Sequence, residues 1–284
     1  MAAVTAAPGA ADLDDHWLSA WLAEQAGERL LEVRESGLEG RELKDAGDRA
    51  AHELLVELLA RHRPDDSVLS EEGKDDKRRL SASRVWIVDP LDGTRDFVAR
   101  TGDFCVHVAL AVDGIPTVGV VHQPIADATF QGVRGQGAVV DAQGARAPLR
   151  VSATERIADV RVGVSRLNIS ADLRHALAAS GLEARAVALG ASVKLMAVAR
   201  GSLDAVVSFT AAEREWDTCA PEVIVREAGG SYTDLDGRAL RYNQPDTARR
   251  RGTLVSNGVC HPGLLALLGP AFRAARGAGD GGAP

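Results

Sequence analysis

Between Ser67 and Val133 five β-type runs follow one another: SVLS, RVWIV, FCVHVALAV, PTVGVVHQP and ATFQGV. They are rich in Val and aromatic residues and are separated by segments carrying Gly, Asp and Pro, which mark turns. Ahead of them the pattern is helical. Trp17, Leu18, Trp21, Leu22, Leu30 and Val33 predict a helix from about Asp14 to Glu35. Ala51, Leu54, Leu55, Leu58 and Leu59 predict a second from about Gly47 to His62, with Pro64 beyond its end. Two helices followed by sequential strands imply an α+β layer built on a mostly antiparallel sheet.

The segment DAQGARAPLR, Asp141 to Arg150, is polar and aperiodic, and reads as a boundary. Beyond it strands and helices alternate: RVGVSR, ADLRHALAAS, ARAVAL, ASVKLMAVARG, LDAVVSF and DTCAPEVIVREAG, the last closed by Gly229 and Gly230. That order implies a second, smaller α/β layer. The expected division is a flexible tail over 1–11, an α+β domain over 12–150, a smaller α/β domain over 151–275 and a second tail over 276–284.

With 284 residues the chain can bury one large core or two fused smaller ones, and its net charge of −7 offers no footprint for nucleic-acid backbones or anionic membranes. Cys105, Cys219 and Cys260 form neither a CxxC pair nor an even framework, which fits a reducing, cytoplasmic setting. No basic n-region precedes an apolar core at the start, and no window is long and apolar enough to cross a bilayer.

Acidic residues stand at predicted element ends where a hard cation could be held. Glu71 and Glu72 follow SVLS, Asp89 and Asp92 follow RVWIV, Asp217 opens a helix, and Asp48 starts the second helix. Magnesium takes oxygen ligands and keeps several waters, so a few carboxylates and the Leu91 carbonyl would suffice. In DPLDGT, Pro90 stiffens the turn, Gly93 lets amides approach an anion, and a helix beginning at Thr94 would favour phosphate. Bridging ions, an in-line water and an amide cradle are the parts of metal-assisted phosphate-ester hydrolysis. Taken singly, each acid is more often a surface turn or helix cap. Counting from Asp89 or Asp234 reaches Arg100 or Pro245 where an EF-hand needs glutamate, and there is no Walker A, GxSxG or HExxH string. His107 and His122 lie in strand-like runs and read as packed side chains before ligands.

LSEEG, DPLDGT and WDTCAPEVIVREAGG, in this order, resemble the lithium-sensitive, magnesium-dependent phosphatases of the inositol monophosphatase superfamily, from about Asp12 to Gly258. The resemblance implies a five-layered α-β-α-β-α sandwich. It makes Glu71, Asp89, Asp92, Asp217 and the Leu91 carbonyl the ligands of two or three Mg2+ ions, with Mn2+ as substitute and Li+ as inhibitor. Glu71 and Thr94 would position the attacking water, and Asp48 would hydrogen-bond Thr94 or hold a third ion through waters. The amides of Gly93 and Thr94 would hold phosphate, and Asp217 would help deliver a proton to the leaving alkoxide. The family usually shows Pro-Val-Thr before the aspartate that Asp48 matches. Here LKDAG stands there, which reads as an altered or shortened loop and leaves Lys44 and Asp45 without a role.

Within the superfamily, Arg95-Asp96-Phe97 is similar to the basic-acidic-Phe pattern of CysQ-type 3'(2'),5'-bisphosphate nucleotidases. GASVKLMAVARG resembles their substrate segment, with Gly190, Ser192 and Lys194, the last of four lysines. WDTCAPEVI and TDLDGRALRYN are also closer to that group. A flexible point charge at Lys194 would suit a second phosphate, and a solvated helix lysine is the plain alternative. The implied reaction converts 3'-phosphoadenosine 5'-phosphate to AMP, with the 5'-phosphosulfate analogue as a further substrate, in sulfate assimilation. The alternatives are an inositol or fructose 1,6-bisphosphate phosphatase, or a non-catalytic nucleotide or metal sensor. The expected partner is a small phosphorylated molecule, bound by a monomer or homodimer.

Overall fold

The computed structural model describes residues 14–279 apart from 167, 168 and 191; the expected N-terminal tail, 1–11, lies outside them. The chain opens on α1 (Asp15–Arg34), capped by the Asp14 carboxylate, which accepts from the Trp17 amide at 2.7 Å. α2 (Gly40–His62) starts at Gly40 and not at Gly47. Gly47 is an interior glycine with a packing reason: a β-carbon there would lie 2.8 Å from the Phe97 ring. Leu43, fully buried one turn earlier, extends the apolar stripe. LKDAG is therefore helical and not a loop, and Asp48 lies inside α2 and not at its start.

Seven strands form the first sheet, in sequence order: β1 (Ser67–Ser70), β2 (Arg84–Asp92), β3 (Cys105–Val112), β4 (Ile115–Gln123), β5 (Ala128–Val133), β6 (Gly137–Ala142) and β7 (Ala145–Pro148). Only the β1–β2 pairing in this sheet is parallel; every other neighbour is antiparallel. The short helix α3 (Thr94–Val98) interrupts the run after β2. Residues 141–150, polar and aperiodic in sequence, carry the turn of a β6–β7 hairpin. Gln143 and Gly144 both take positive φ, +51° and +77°, the two-residue turn that joins twisted strands without splaying them.

The second sheet has the order β11-β12-β10-β8-β9, from β8 (Val162–Ser165), β9 (Ala186–Leu189), β10 (Ala205–Ser208), β11 (Ser231–Thr233) and β12 (Thr253–Ser256). Its helices are α4 (Ala171–Ala179), α5 (Val193–Ala199), α6 (Glu215–Glu227) and α7 (His261–Gly279). α7 continues into the stretch 276–284 that the sequence reads as a tail. α1 and α2 cover the outer face of the first sheet, α5 and α6 fill the space between the sheets, and α4 packs with α7 on the far side. This is the five-layered α-β-α-β-α sandwich that the sequence implied.

α6 approaches the first sheet closely because two strands present glycine to it. A β-carbon at Gly119 would stand 2.4 Å from the Ala220 carbonyl oxygen, and one at Gly132 would stand 2.9 Å from the Ile224 α-carbon. Both obstacles are backbone, so no side chain can swing aside. Gly119→Ala is expected to cost about 1–3 kcal/mol as overpacking, read as a lower urea midpoint; an unchanged midpoint would mean that α6 does not need this contact.

Candidate active site

β1 and β2 run parallel, so the residues at their C-terminal ends emerge at the same edge. The Glu71 amide continues the ladder to the Val88 carbonyl at 3.3 Å, which sets Glu71 beside Asp89. The register between β2 and β3 shifts between Asp89 and Asp92, around Pro90, and the two aspartates fall opposite His107 and Cys105. α6 brings Asp217 in its first turn. Carboxylate oxygens of Asp89, Asp92 and Asp217 lie within 4.8 Å of one another.

Each side chain is held from behind. Asp89 Oδ1 accepts from the Leu91 amide at 3.0 Å, and Asp92 Oδ2 accepts from the Ser192 amide at 2.7 Å. Asp217 Oδ2 accepts from the Arg214 amide at 2.6 Å, half of a capping box in which the helix start aims the carboxylate. Gly93 takes φ +89° before α3, a left-handed conformation suited to glycine. Thr94 Oγ1 donates to the Leu91 carbonyl at 3.2 Å.

Burial, then repulsion from Glu71, Asp92 and Asp217, pushes the Asp89 carboxyl well above its ordinary range. Asp217 is driven the same way by burial and by Asp92. Glu71 remains exposed to solvent, yet protein crowds its carboxyl and raises it to about 7 against a hydrogen bond with Asp89; Glu72, Asp92 and Asp48 add repulsion. Such a set of hard oxygen donors, repelling one another, fits a divalent metal. His107 is fully buried, with Nδ1 3.2 Å from the Trp216 carbonyl and Nε2 3.4 Å from Asp92 Oδ2. It borders the cluster, whereas its strand-like run alone predicts a packed side chain.

Asp48 stands apart from the expected hydrogen bond with Thr94. It accepts from Lys44 Nζ at 2.6 Å, four residues earlier on α2, and no hydrogen bond joins it to Thr94 among the described residues. Burial raises its carboxyl, while Lys44 opposes the shift.

A cavity of about 760 Å³ opens beside the carboxylates, with Asp92, Asp217, Ser192 and Lys194 in its wall. Glu213 lines it too and was missed from sequence. Arg95 is exposed on α3 and is not part of this wall. Its neighbour Asp96 faces the second sheet: Arg166 Nη1 donates to Asp96 at 3.2 Å and Arg166 also pairs with Asp103. The Gly190 amide donates to Asp103 at 3.2 Å, and a β-carbon on Gly190 would strike Asp103 at 2.6 Å. Gly190 thus holds the segment before α5 tightly against the loop before β3.

The profile of the Inositol monophosphatase family matches residues 17–273. A 3'-phosphoadenosine 5'-phosphate phosphatase of Mycobacterium leprae is 41% identical over 83% of this chain and 87% of its own. A histidinol-phosphatase of Mycobacterium tuberculosis is 33% identical over 90% of this chain and 98% of its own. Among solved structures, CysQ from Bacteroides thetaiotaomicron, a bacterial member of the inositol monophosphatase family, superposes with a TM-score of 0.75. It is 28% identical, over 85% of this chain and 96% of that one.

Proposed function

Because this chain belongs to the inositol monophosphatase family and is a phosphatase, we propose that it removes the 3'-phosphate from 3'-phosphoadenosine 5'-phosphate in a Mg2+-dependent hydrolysis. The observation that carries this reading is Lys194 in one cavity wall with Asp92 and Asp217. A cation there can take a second phosphate while the first sits at the carboxylates. The same wall contains Ile169, Leu173, Leu195 and Phe209. Apolar surface of that kind suits a purine better than a polyhydroxylated ring, and the volume is ample for a nucleotide. The name of the Mycobacterium leprae relative supports the same substrate. The 5'-phosphosulfate analogue has the same 3'-phosphate and is a second candidate substrate.

Glu71, Asp89, Asp92, Asp217 and the Leu91 carbonyl would hold the metal. Bound there, Mg2+ would neutralise phosphate charge and lower the pKa of water. Glu71 accepts a proton from the attacking water. The Thr94 hydroxyl orients that water, and the amides of Gly93 and Thr94 hold the phosphate. Asp217, aimed by the Arg214 amide, helps a water deliver its proton to the departing 3'-oxygen. Asp48 acts at one remove through its place near Glu71. No helix of the described residues is long and apolar enough to cross a membrane, and a small soluble substrate is the natural partner.

The test is a panel of 3'-phosphoadenosine 5'-phosphate, inositol 1-phosphate, fructose 1,6-bisphosphate and histidinol phosphate in magnesium buffer. The nucleotide should show the largest kcat/KM; a larger value for any other ester would overturn the substrate. Lys194→Ala should lower kcat/KM for the bisphosphate by about 10–100-fold, the loss of a charge-assisted hydrogen bond. Adenosine 3'-monophosphate should change much less, and equal losses on both would remove Lys194 from that role.

A further inference from the structure

The register shift in β2 brings together side chains that the carboxylate cluster does not use. Regular antiparallel pairing continued from Asp89 and His107 would set Leu91 opposite Cys105. One extra residue on β2 sets Asp92 there instead. Cys105 and His107 are two apart on β3, so both side chains leave the same face of the strand. Ligand atoms of Asp92, Cys105 and His107 consequently lie within 4.8 Å of one another. Cys105 and His107 are fully buried, while the Asp92 side chain is 17% exposed and lines the cavity.

The imidazole shows what the cluster calls for. A carbonyl only accepts, so His107 Nδ1, 3.2 Å from the Trp216 oxygen, carries the ring proton. The neutral ring then turns its Nε2 lone pair toward Asp92 Oδ2 at 3.4 Å, and Nε2 has no hydrogen-bond partner among the described residues. Two acceptors facing each other inside the protein are satisfied by a cation between them. The spacing points to its kind: ligands about 2.0–2.2 Å from a tetrahedral Zn2+ stand about 3.4 Å apart. A Zn–S bond of about 2.3 Å puts sulfur about 3.5 Å from such ligands, so the Cys105 thiol needs a shift of at most about 1.3 Å. The Trp216 carbonyl is the kind of partner that fixes the tautomer of a metal-bound histidine. Around the thiol, the charges of Asp92, Asp89 and Asp103 outnumber that of Lys194.

We propose that Asp92, Cys105 and His107 form a site for a thiophilic divalent cation of the Zn2+ class, distinct from the all-oxygen magnesium set and sharing only Asp92 with it. Thiolate and imidazole select such an ion over Mg2+, which takes oxygen ligands. The ion enters along Asp92 from the cavity, and the thiol gives its proton to solvent as the bond to Cys105 forms. Water takes the fourth position. Held there, the ion draws Asp92 away from Mg2+, so zinc restrains the enzyme. That consequence rests on the phosphatase reading; the binding itself does not.

The experiment is titration of the metal-stripped full chain with Co2+, a coloured stand-in for Zn2+. Thiolate-to-cobalt charge transfer should appear in the near ultraviolet and saturate at one equivalent. It should vanish in Cys105→Ser and persist in Cys219→Ala, whose thiol is buried within α6. His107→Gln, which retains the thiol, should weaken the binding at least about 10-fold. In the second arm, Zn2+ is added to 3'-phosphoadenosine 5'-phosphate hydrolysis at fixed excess Mg2+. Cys105→Ser should need at least about 100-fold more zinc for equal inhibition, beyond the cost of losing a residue that supports a metal ligand. Absence of the band, its persistence in Cys105→Ser, its loss in Cys219→Ala, or equal zinc sensitivity of Cys105→Ser and the parent would each overturn the site. A chain that shows the band but hydrolyses no ester of the panel would keep the site and remove the phosphatase reading.

Discussion

Asp89→Asn should lower kcat/KM by more than about 100-fold, beyond what loss of a residue supporting a metal ligand costs, and should raise the unfolding midpoint of the cation-free protein. The two effects share one cause. Asp89 is 1% exposed and faces Glu71, Asp92 and Asp217, so its negative charge would serve a bound cation and opposes the fold without one. Asparagine keeps the volume and an oxygen for the Leu91 amide while removing the charge. Each kcal/mol relieved should appear as about 2–4 °C for a chain of this size. Burial of Glu71, with repulsion from its neighbours behind it, also sets a pH limb. Glu71 moves from 4.5 to about 7 on folding, so its unfavourable ionisation develops as pH rises between those values. Cation-free protein should therefore lose stability over that interval, and less steeply with magnesium present. Full activity in Asp89→Asn would remove Asp89 from the site, and a lower midpoint would refute the repulsion.

The largest loss of stability is expected from Asp204→Ala, about 3–5 kcal/mol, the cost of breaking a buried ion pair by removing one partner. Asp204 is fully buried. It accepts from Ser152 and Thr154 hydroxyls at 2.5 and 2.9 Å, from the Arg161 amide at 2.7 Å and from Arg161 Nη2 at 2.9 Å. Burial opposes its ionised form, yet these donors together hold its carboxyl far below the ordinary range. Its stabilisation is present above the ordinary carboxylate pKa and is lost as pH falls below it, opposite in sign to Glu71. Arg161 is 42% exposed and can rehydrate, which puts the expected loss near the lower end. Guanidinium denaturation followed by tryptophan fluorescence measures it; a change under about 1 kcal/mol would show that the hydroxyls and the amide find other partners.

Much of the scaffold could be read from the chain because its strands are apolar runs and its acids sit at their ends. Glu71, Asp89, Asp92 and Asp217 converge as expected from the motif strings. The misses have physical causes. Gly47 looked like a helix boundary because its use, contact with Phe97, lies fifty residues away. The β6–β7 hairpin was hidden by composition: β7 is exposed throughout, so no burial selects apolar residues there. His107 carries no local mark of lying across from Asp89, because register is a property of the paired strands. The Asp96–Arg166–Asp103 clasp spans the two sheets, and nothing near Arg95 shows that its neighbour is the residue facing the second layer.

The glycines beneath α6 bear on the order in which the protein is made. Val121 and Phe130 of the first sheet share one buried cluster with Met196, Ile224 and Val255 from the later half of the chain. A ribosome adds about 5–20 residues per second, so β5 would wait on the order of 5–20 seconds for α6 to be synthesised. During that interval the inner face of the first sheet is an apolar trough floored by Gly119 and Gly132, open to any other nascent helix. The close fit that seats Asp217 in the finished enzyme therefore leaves the half-made chain with an uncovered apolar face, and truncation after the β6–β7 hairpin should yield aggregate in place of a domain.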